Sequence, residues 1–302
     1  MRGRFAYLAA ALLLCCQACH WRGLDYDYSY FAEFDVVFDW SDSELAESRP
    51  DGRTAAFYPV GEGASVVRMS NSDTLRVKLE AGDYNAVFFN ETFDDFDYIC
   101  FDGRGAFSGL TARMKDGATR LGDDALCAET IRSFAVGDNL PRVIVVRPED
   151  VLSTVDLRVN VAGGEYIASA GAYVCGLAGG YEFSSGSAVG SAVYKCGLTE
   201  GGLADDGVGS WSGEFRSFGL PEGFTEQDCE VVFRAVLADG SAFEVLRKPD
   251  KSAVGRDAGG GSVISIEVTE PINIEAIPNV GGDGGWMVDI GGWDEENVPV
   301  GL

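Results

Sequence analysis

Apolar and polar residues alternate along many short segments of this chain, and this alternation constrains its fold more than any other feature. The clearest run is EFDVVFDW at residues 33–40, and residues 155–161 repeat the pattern. Successive side chains on a strand point to opposite faces, so a period of two predicts a strand with one face in a core. The 40 glycines suit short strands and tight turns better than long helices.

Similar segments recur along the chain, and they predict an all-β fold. Further strands are predicted at residues 54–60, 75–79, 84–89, 98–101, 142–147, 166–176, 186–198, 211–218, 229–237, 242–247 and 262–269. Asp239-Gly240 between two of these strands is the strongest hairpin signal. Residues 123–132 are the one helix candidate in the first half, and residues 255–261 are predicted to be a flexible loop.

Pro148 ends a predicted strand, and we place the domain boundary just after it. The strands on each side are enough for one β-sandwich, so two sandwiches in tandem are expected. The divisions are a signal peptide at 1–18, an N-terminal sandwich at 19–150, a C-terminal sandwich at 151–270 and a tail at 271–302. The tail is rich in glycine and acidic residues, lacks basic ones, and is expected to be extended.

The N-terminus carries the pattern of a lipoprotein signal. Two arginines lie in the first four residues, and a ten-residue apolar run at 5–14 is too short to span a bilayer. Ala18 provides the small residue expected before an acylated cysteine, which makes Cys19 the predicted lipidation site and Cys16 the alternative. An ordinary cleaved signal peptide without lipid is the other alternative. We expect lipid attachment to the outer membrane, with the rest of the chain exposed at the cell surface.

The charge balance disfavours anionic partners. The chain has 48 acidic and 23 basic residues, a net charge of −25. Such a chain repels phosphate backbones and anionic lipid headgroups, so neither nucleic-acid binding nor basic-patch membrane docking is expected.

Five cysteines follow the predicted cleavage site, namely Cys100, Cys127, Cys175, Cys196 and Cys229. Their odd number and wide spacing do not form a dense disulfide framework. The pattern favours buried free thiols, with one bridge such as Cys175–Cys196 as the alternative.

No catalytic, cofactor-binding or metal-binding set stands out. The single histidine, His20, adjoins the predicted lipid, which argues against a histidine-based triad or a histidine-ligated zinc. Two acidic clusters, 94–97 and 205–206, offer carboxylates without the spacing of a calcium loop and are interpreted as solvated loops. Asn90-Glu91-Thr92 matches a glycosylation acceptor, for which a polar turn is the simpler explanation. The chain is therefore predicted not to be an enzyme.

An ordered series of short motifs resembles a family of Bacteroidetes lipoproteins similar to the minor subunits that anchor or assemble fimbriae. The motifs are Cys19 with Arg22, Val36–Trp40, Phe57-Tyr58-Pro59, Gly82-Asp83-Tyr84, Asn90-Glu91-Thr92, Gly176–Gly180, Phe218-Gly219, Leu237–Ser241 and Trp293-Asp294-Glu295. The resemblance implies two transthyretin-like sandwich domains behind a lipidated N-terminus. Cys16 departs from the aliphatic residue usual at that position.

The expected function is that of a non-enzymatic surface lipoprotein that anchors a fimbria-like structure, assists its assembly, or mediates adhesion. Fimbrial subunits are the expected partners, joined by addition of a strand to a sandwich edge, and residues 262–269 or the tail are the proposed edge. The alternative is a glycan-binding lipoprotein of a polysaccharide-uptake system, in which Trp286 and Trp293 of the tail stack on sugar rings. A carboxylate-dependent hydrolase is a third option that requires a cleft with two facing acids.

Overall fold

The structure, a computed structural model, describes residues 30–137, 139–203, 207–256 and 262–274. In the first half the strands are β1 (Phe31–Phe38), β2 (Arg53–Pro59), β3 (Val66–Ser70), β4 (Thr74–Glu80), β5 (Gly82–Asn90), β6 (Ile99–Asp102), β7 (Thr111–Met114), β8 (Cys127–Val136), β9 (Val143–Val146) and β10 (Glu149–Asp150). In the second half they are β11 (Ser153–Ala162), β12 (Ile167–Leu177), β13 (Gly180–Glu182), β14 (Ser187–Val189), β15 (Ala192–Leu203), β16 (Val208–Ser217), β17 (Glu230–Leu237), β18 (Ala242–Arg247), β19 (Lys251–Arg256) and β20 (Ser262–Asn273). The helical residues within these ranges lie in single 3-10 turns, so the predicted all-β class is confirmed.

The strands form four sheets. The outer sheet has the order β4-β1-β9, and the central sheet has the order β10-β8-β5-β2-β3. The large sheet has the order β18-β17-β12-β15-β16-β11-β20-β19, and the bridging sheet has the order β14-β13-β7-β6. Most neighbouring strands are antiparallel, whereas β1 with β9 and β11 with β20 are parallel pairs.

The central sheet is buried on both faces, which explains why its strands have less clear alternation than β1. On one face Phe57 and Phe88 pack against the outer sheet, and Phe34 of β1 meets the Phe57 ring edge-on with ring centres 6.0 Å apart. On the opposite face Tyr58 and Phe89 belong to a second core that includes the large sheet. A strand covered on both sides is expected to be nearly all apolar.

The bridging sheet contains strands from both sides of the predicted domain boundary. β13 pairs with β7 in antiparallel register, from Gly180 opposite Arg113 to Glu182 opposite Thr111. The second core likewise holds side chains from both halves. The division at residues 150 and 151 therefore stays a prediction, while backbone hydrogen bonds and packed side chains connect the two halves.

The helix predicted at residues 123–132 is wrong, because β8 runs from Cys127 to Val136. A register shift opposite Tyr84 and Ala86 places an extra residue in β8 between Ile131 and Phe134. Ser133 there adopts a positive φ of 55°, and its N–H donates to the Asn85 side chain. This bulge changes the phase of the alternation, so the strand lacks a continuous period of two.

The Asp239-Gly240 hairpin is confirmed between β17 and β18, with Gly240 at φ 84° and its N–H bonded to the Leu237 carbonyl. The predicted loop at 255–261 is partly wrong, because β19 continues to Arg256 and pairs with β20. Residues 257–261 lie outside the described residues. None of the helices in the described ranges is long and apolar enough to cross a membrane.

Candidate binding edges

The predicted lipidation site and the two tryptophans of the tail lie outside the described residues. Cys19 precedes Tyr30, where the described chain begins, and Trp286 and Trp293 follow Ile274, where it ends. Lipidation of Cys19 and stacking on the tail tryptophans therefore stay predictions.

The proposed binding edge at residues 262–269 is wrong. These residues belong to β20, which pairs in parallel with β11 on one side and antiparallel with β19 on the other. Thr269 is further held by Asp250, whose carboxylate accepts both its N–H and its hydroxyl. Because residues 263–267 of β20 are paired on both sides within the large sheet, no strand can be added to them.

The true edges of the described sheets differ in how they are protected. β4, at one edge of the outer sheet, projects Arg76 and Lys78 to solvent, each paired with an acidic residue of β1. β19, at one edge of the large sheet, carries Lys251, which pairs with Glu267. Charged side chains, above all lysine, are a common means of keeping an edge strand from pairing with another chain.

β9 differs from the other edge strands of the described sheets because all four of its residues are apolar. Its sequence is VIVV, and it pairs only with β1. Val143 and Val145 are 51% and 53% exposed, whereas Val146 is fully buried. The sequence shows this strand between Arg142 and Arg147 with Pro148 after it, but not that it lies at an edge.

A group of polar side chains lies where the halves meet, between Glu44, Cys127 and Asp150. Their potential ligand atoms are within 4.8 Å of one another, which is close enough to hold a metal ion. However, the Cys127 thiol donates to the Asp150 carboxylate at 3.2 Å, and Arg216 makes an ion pair with Glu44. The neighbouring cavity measures about 50 Å³. These contacts give the group a structural role, because the ion pair of Arg216 with Glu44 connects the second half to the first.

Burial makes the Cys127 thiol a poor nucleophile. Desolvation raises its pKa far above the ordinary value, and the charge of Asp150 raises it further. Burial likewise raises the pKa of Cys196 to about 11 and that of Cys229 to about 12. All five cysteines in the described ranges are free, as the sequence favoured. A thiol that stays protonated at neutral pH neither attacks a substrate nor binds a metal readily.

Protein groups engage two carboxylates of the acidic cluster at residues 94–97. The Asp94 carboxylate bonds Arg104 at 2.6 Å, and that of Asp95 accepts the hydroxyl of Thr92 at 2.7 Å. Separate protein partners therefore hold these carboxylates, as expected for a solvated loop. Asp205 and Asp206 lie outside the described residues.

Asn90 has a structural role that its glycosylation motif does not suggest. Only 2% of the residue is exposed, its Nδ2 donates to the Ala125 carbonyl at 2.6 Å, and its Oδ1 accepts the Cys127 N–H at 2.8 Å. A buried amide with both ends bonded is closed to modification. It connects the end of β5 to the start of β8.

Comparison with known proteins agrees with this fold. The model of a domain of unknown function, DUF5119, matches residues 18–194. No curated protein matches the chain at a significant level.

Several solved structures are similar. A candidate adhesin from Bacteroides ovatus is 18% identical, with a TM-score of 0.58 over 74% of this chain and 84% of that chain. A candidate adhesin from Bacteroides thetaiotaomicron is 13% identical, with a TM-score of 0.49 over 73% and 81%. The fimbrial anchor protein Mfa2 from Porphyromonas gingivalis is 14% identical, with a TM-score of 0.47 over 70% and 81%. The family match and the first of these structures confirm the resemblance at the level of the fold.

Proposed function

The chain belongs to the DUF5119 family, and from this membership and its fold we propose that it is a non-enzymatic surface protein. It is anchored to the outer membrane by a lipid on Cys19 and takes part in adhesion or in the assembly of a fimbria-like structure. Its partners are other surface subunits, which bind by adding a strand to one of its sheet edges.

The observation that carries the proposal is the fold itself. The chain shares its β-architecture with the candidate adhesin from Bacteroides ovatus over most of both chains. An all-β chain of this kind presents edge strands whose backbone N–H and C=O groups are free to pair. Two cavities among the described residues measure about 50 and 60 Å³, enough for a water molecule or two and much less than a sugar ring needs.

The start of the fold is compatible with a short tether. Tyr30, the first described residue, follows Cys19 by eleven positions. Eleven residues reach about 40 Å at full extension and about 20 Å as a flexible coil. Tyr30, at the start of the outer sheet, would then lie within about 40 Å of the lipid.

The anchor is tested by comparing Cys19→Ala with Cys16→Ala in the native host. We expect the Cys19→Ala protein to leave the membrane fraction and to lose incorporation of an alkyne-labelled fatty acid. The Cys16→Ala protein should keep both, because its acylated cysteine is intact. Membrane retention of the Cys19→Ala protein, or loss of the Cys16→Ala protein, would contradict the proposed site.

A further inference from the structure

The two parallel strand pairs hold the two ends of the described chain. In the first half β1 pairs in parallel with β9, and in the second half β11 pairs in parallel with β20. Tyr30 directly precedes β1, and Ile274 directly follows β20. Each end of the described chain therefore leads into one member of a parallel pair, whose other member leads toward the junction between the halves.

Parallel pairing decides how tension along the chain reaches the hydrogen bonds of a ladder. A pull on the N-terminal end of one strand and on the C-terminal end of its parallel neighbour slides the two strands past each other, so all the bonds bear the load together. In an antiparallel pair those two ends lie side by side, and the same pull separates the bonds one at a time. Because one hydrogen bond contributes little by itself, the ladder that is loaded as a whole resists more.

In the first half tension enters at the N-terminal end of β1. Backbone bonds close both ends of the β1–β9 ladder: the Asp35 N–H donates to the Arg142 carbonyl at 2.8 Å, and the Asp39 N–H donates to the Val146 carbonyl at 2.9 Å. On its other side β1 pairs with β4. A pull on Tyr30 therefore slides β1 past two neighbours, while the chain continues from the C-terminal end of β9 to the second half.

In the second half tension leaves at the C-terminal end of β20. The β11–β20 ladder extends from Thr154 opposite Val263 to Ala162 opposite Asn273, and the Ile274 N–H donates to the Ala162 carbonyl at 2.9 Å. β19 pairs with the other side of β20. Because β11 begins where the chain arrives from the first half, a pull on Asn273 loads this ladder in shear as well.

Contacts across the junction carry load between the two ladders. β13 pairs with β7 across the halves, and the Arg216 guanidinium makes an ion pair with the Glu44 carboxylate. The Glu44 N–H also donates to the Asp150 carboxylate at 2.9 Å, shortly before β11 begins. Tension that crosses the junction is thus shared between the covalent chain and these contacts.

We propose that the chain is a tension-bearing link, in which a pull between the lipid-anchored N-terminus and the far end of β20 is carried in shear by the β1–β9 and β11–β20 ladders. The inference rests on the proposed function, which supplies the load. Within the described sheets β9 pairs only with β1, over four residue pairs against eight between β11 and β20. The β1–β9 ladder is therefore the one that yields first.

Single-molecule force spectroscopy with defined attachment points tests the proposal. The full chain carries azidophenylalanine handles at two positions, which leaves its cysteines unmodified. Handles at Tyr30 and Arg147 pull β1 and β9 from opposite ends and load their ladder in shear, whereas handles at Asp39 and Arg147 pull from the same end and unzip it. We expect the shear geometry to need at least twice the rupture force at the same pulling rate. Both chains lose the ion pair of Arg147 with Asp39, so its loss affects them equally.

Handles at Tyr30 and Asn273 then test the whole chain. We expect the first rupture at the force of the Tyr30–Arg147 geometry, because the β1–β9 ladder yields first. Equal forces in the shear and unzipping geometries, or end-to-end rupture at the unzipping force, would overturn the proposal. Thermal melting of each chain is measured first, so that a weakened fold is not mistaken for a weak ladder. The force measurement needs no membrane, and fractionation of the Cys19→Ala protein tests the anchor independently, so either proposal can fail alone.

Discussion

Asp73 is the carboxylate whose loss should weaken the N-terminal half most. It lies in the turn between β3 and β4 and accepts hydrogen bonds from Arg53 Nε at 2.9 Å and Arg53 Nη2 at 2.5 Å. Arg49 and the Trp40 indole also donate to it, at 3.1 and 3.3 Å. The Arg53 side chain is only 5% exposed. Asp73→Ala would leave this buried guanidinium without its anion.

The size of the effect follows from this burial. Removing one partner of a buried ion pair costs about 3–5 kcal/mol, because the remaining charge is uncompensated. The Asp73 side chain is 29% exposed, so water replaces part of the lost interaction. We therefore expect the free energy of unfolding to fall by about 3 kcal/mol. At about 2–4 °C per kcal/mol for a protein of this size class, Tm should fall by about 6–12 °C.

Asp35 provides a matched control in the same sandwich. Its side chain is also 29% exposed and bonds Arg76 Nε at 3.0 Å, but the Arg76 side chain is 78% exposed. Asp35→Ala should therefore cost less than about 1 kcal/mol. Denaturant unfolding followed by intrinsic fluorescence, together with calorimetry, measures both variants.

Equal losses of unfolding free energy for the two variants would refute the reasoning, since the two aspartates differ mainly in how deeply their arginine partners are buried. A second check is the double variant Arg53→Met, Asp73→Ala. It removes both charges and should regain most of the stability, because an apolar side chain fits the buried position without an unpaired charge. If the double variant is no more stable than Asp73→Ala, the buried charge of Arg53 is not the cause of the lost stability.

Two further predictions concern the second half and the junction. Gly176→Ala should destabilise the fold by more than about 2 kcal/mol, because Gly176 has φ 93° and an added Cβ would lie 2.1 Å from the Asp228 carbonyl oxygen. Chemical denaturation measures the loss, and Gly186→Ala is the exposed control. The Cys127 thiol should resist iodoacetamide at pH 8–9 until the protein unfolds, and rapid labelling of the native protein would contradict this expectation. Because the pKa of the thiol is raised on folding from an ordinary value of 9.0, its contribution to the free energy of unfolding is full below pH 9 and declines as pH rises further.

The wrong predictions show where local pattern loses information. The β8 bulge at Ser133 changes the phase of the alternation, and no residue type in the segment marks the change. β20 has a clear strand pattern, but the same pattern suits an edge strand and an interior one. β19, which covers it, was missed because KSAVGR has little apolar content. These outcomes depend on the neighbouring strand, not on the segment itself.

The position of β9 at a sheet edge could not be predicted for the same reason. RVIVVR is recognisable as a strand, yet its position beside β1 pairs residues about 108 positions apart, such as Asp35 with Val143.

The sequence by itself determined the all-β class, most strand positions and the β17–β18 hairpin, because alternation and turn residues act over a few neighbouring residues. Only the tertiary structure decided which strands lie at edges, that the central sheet is buried on both faces, and that the bridging sheet joins the two halves. Strand order is set by contacts between residues far apart in the chain, and a local pattern of side chains does not encode which distant strand completes the pairing.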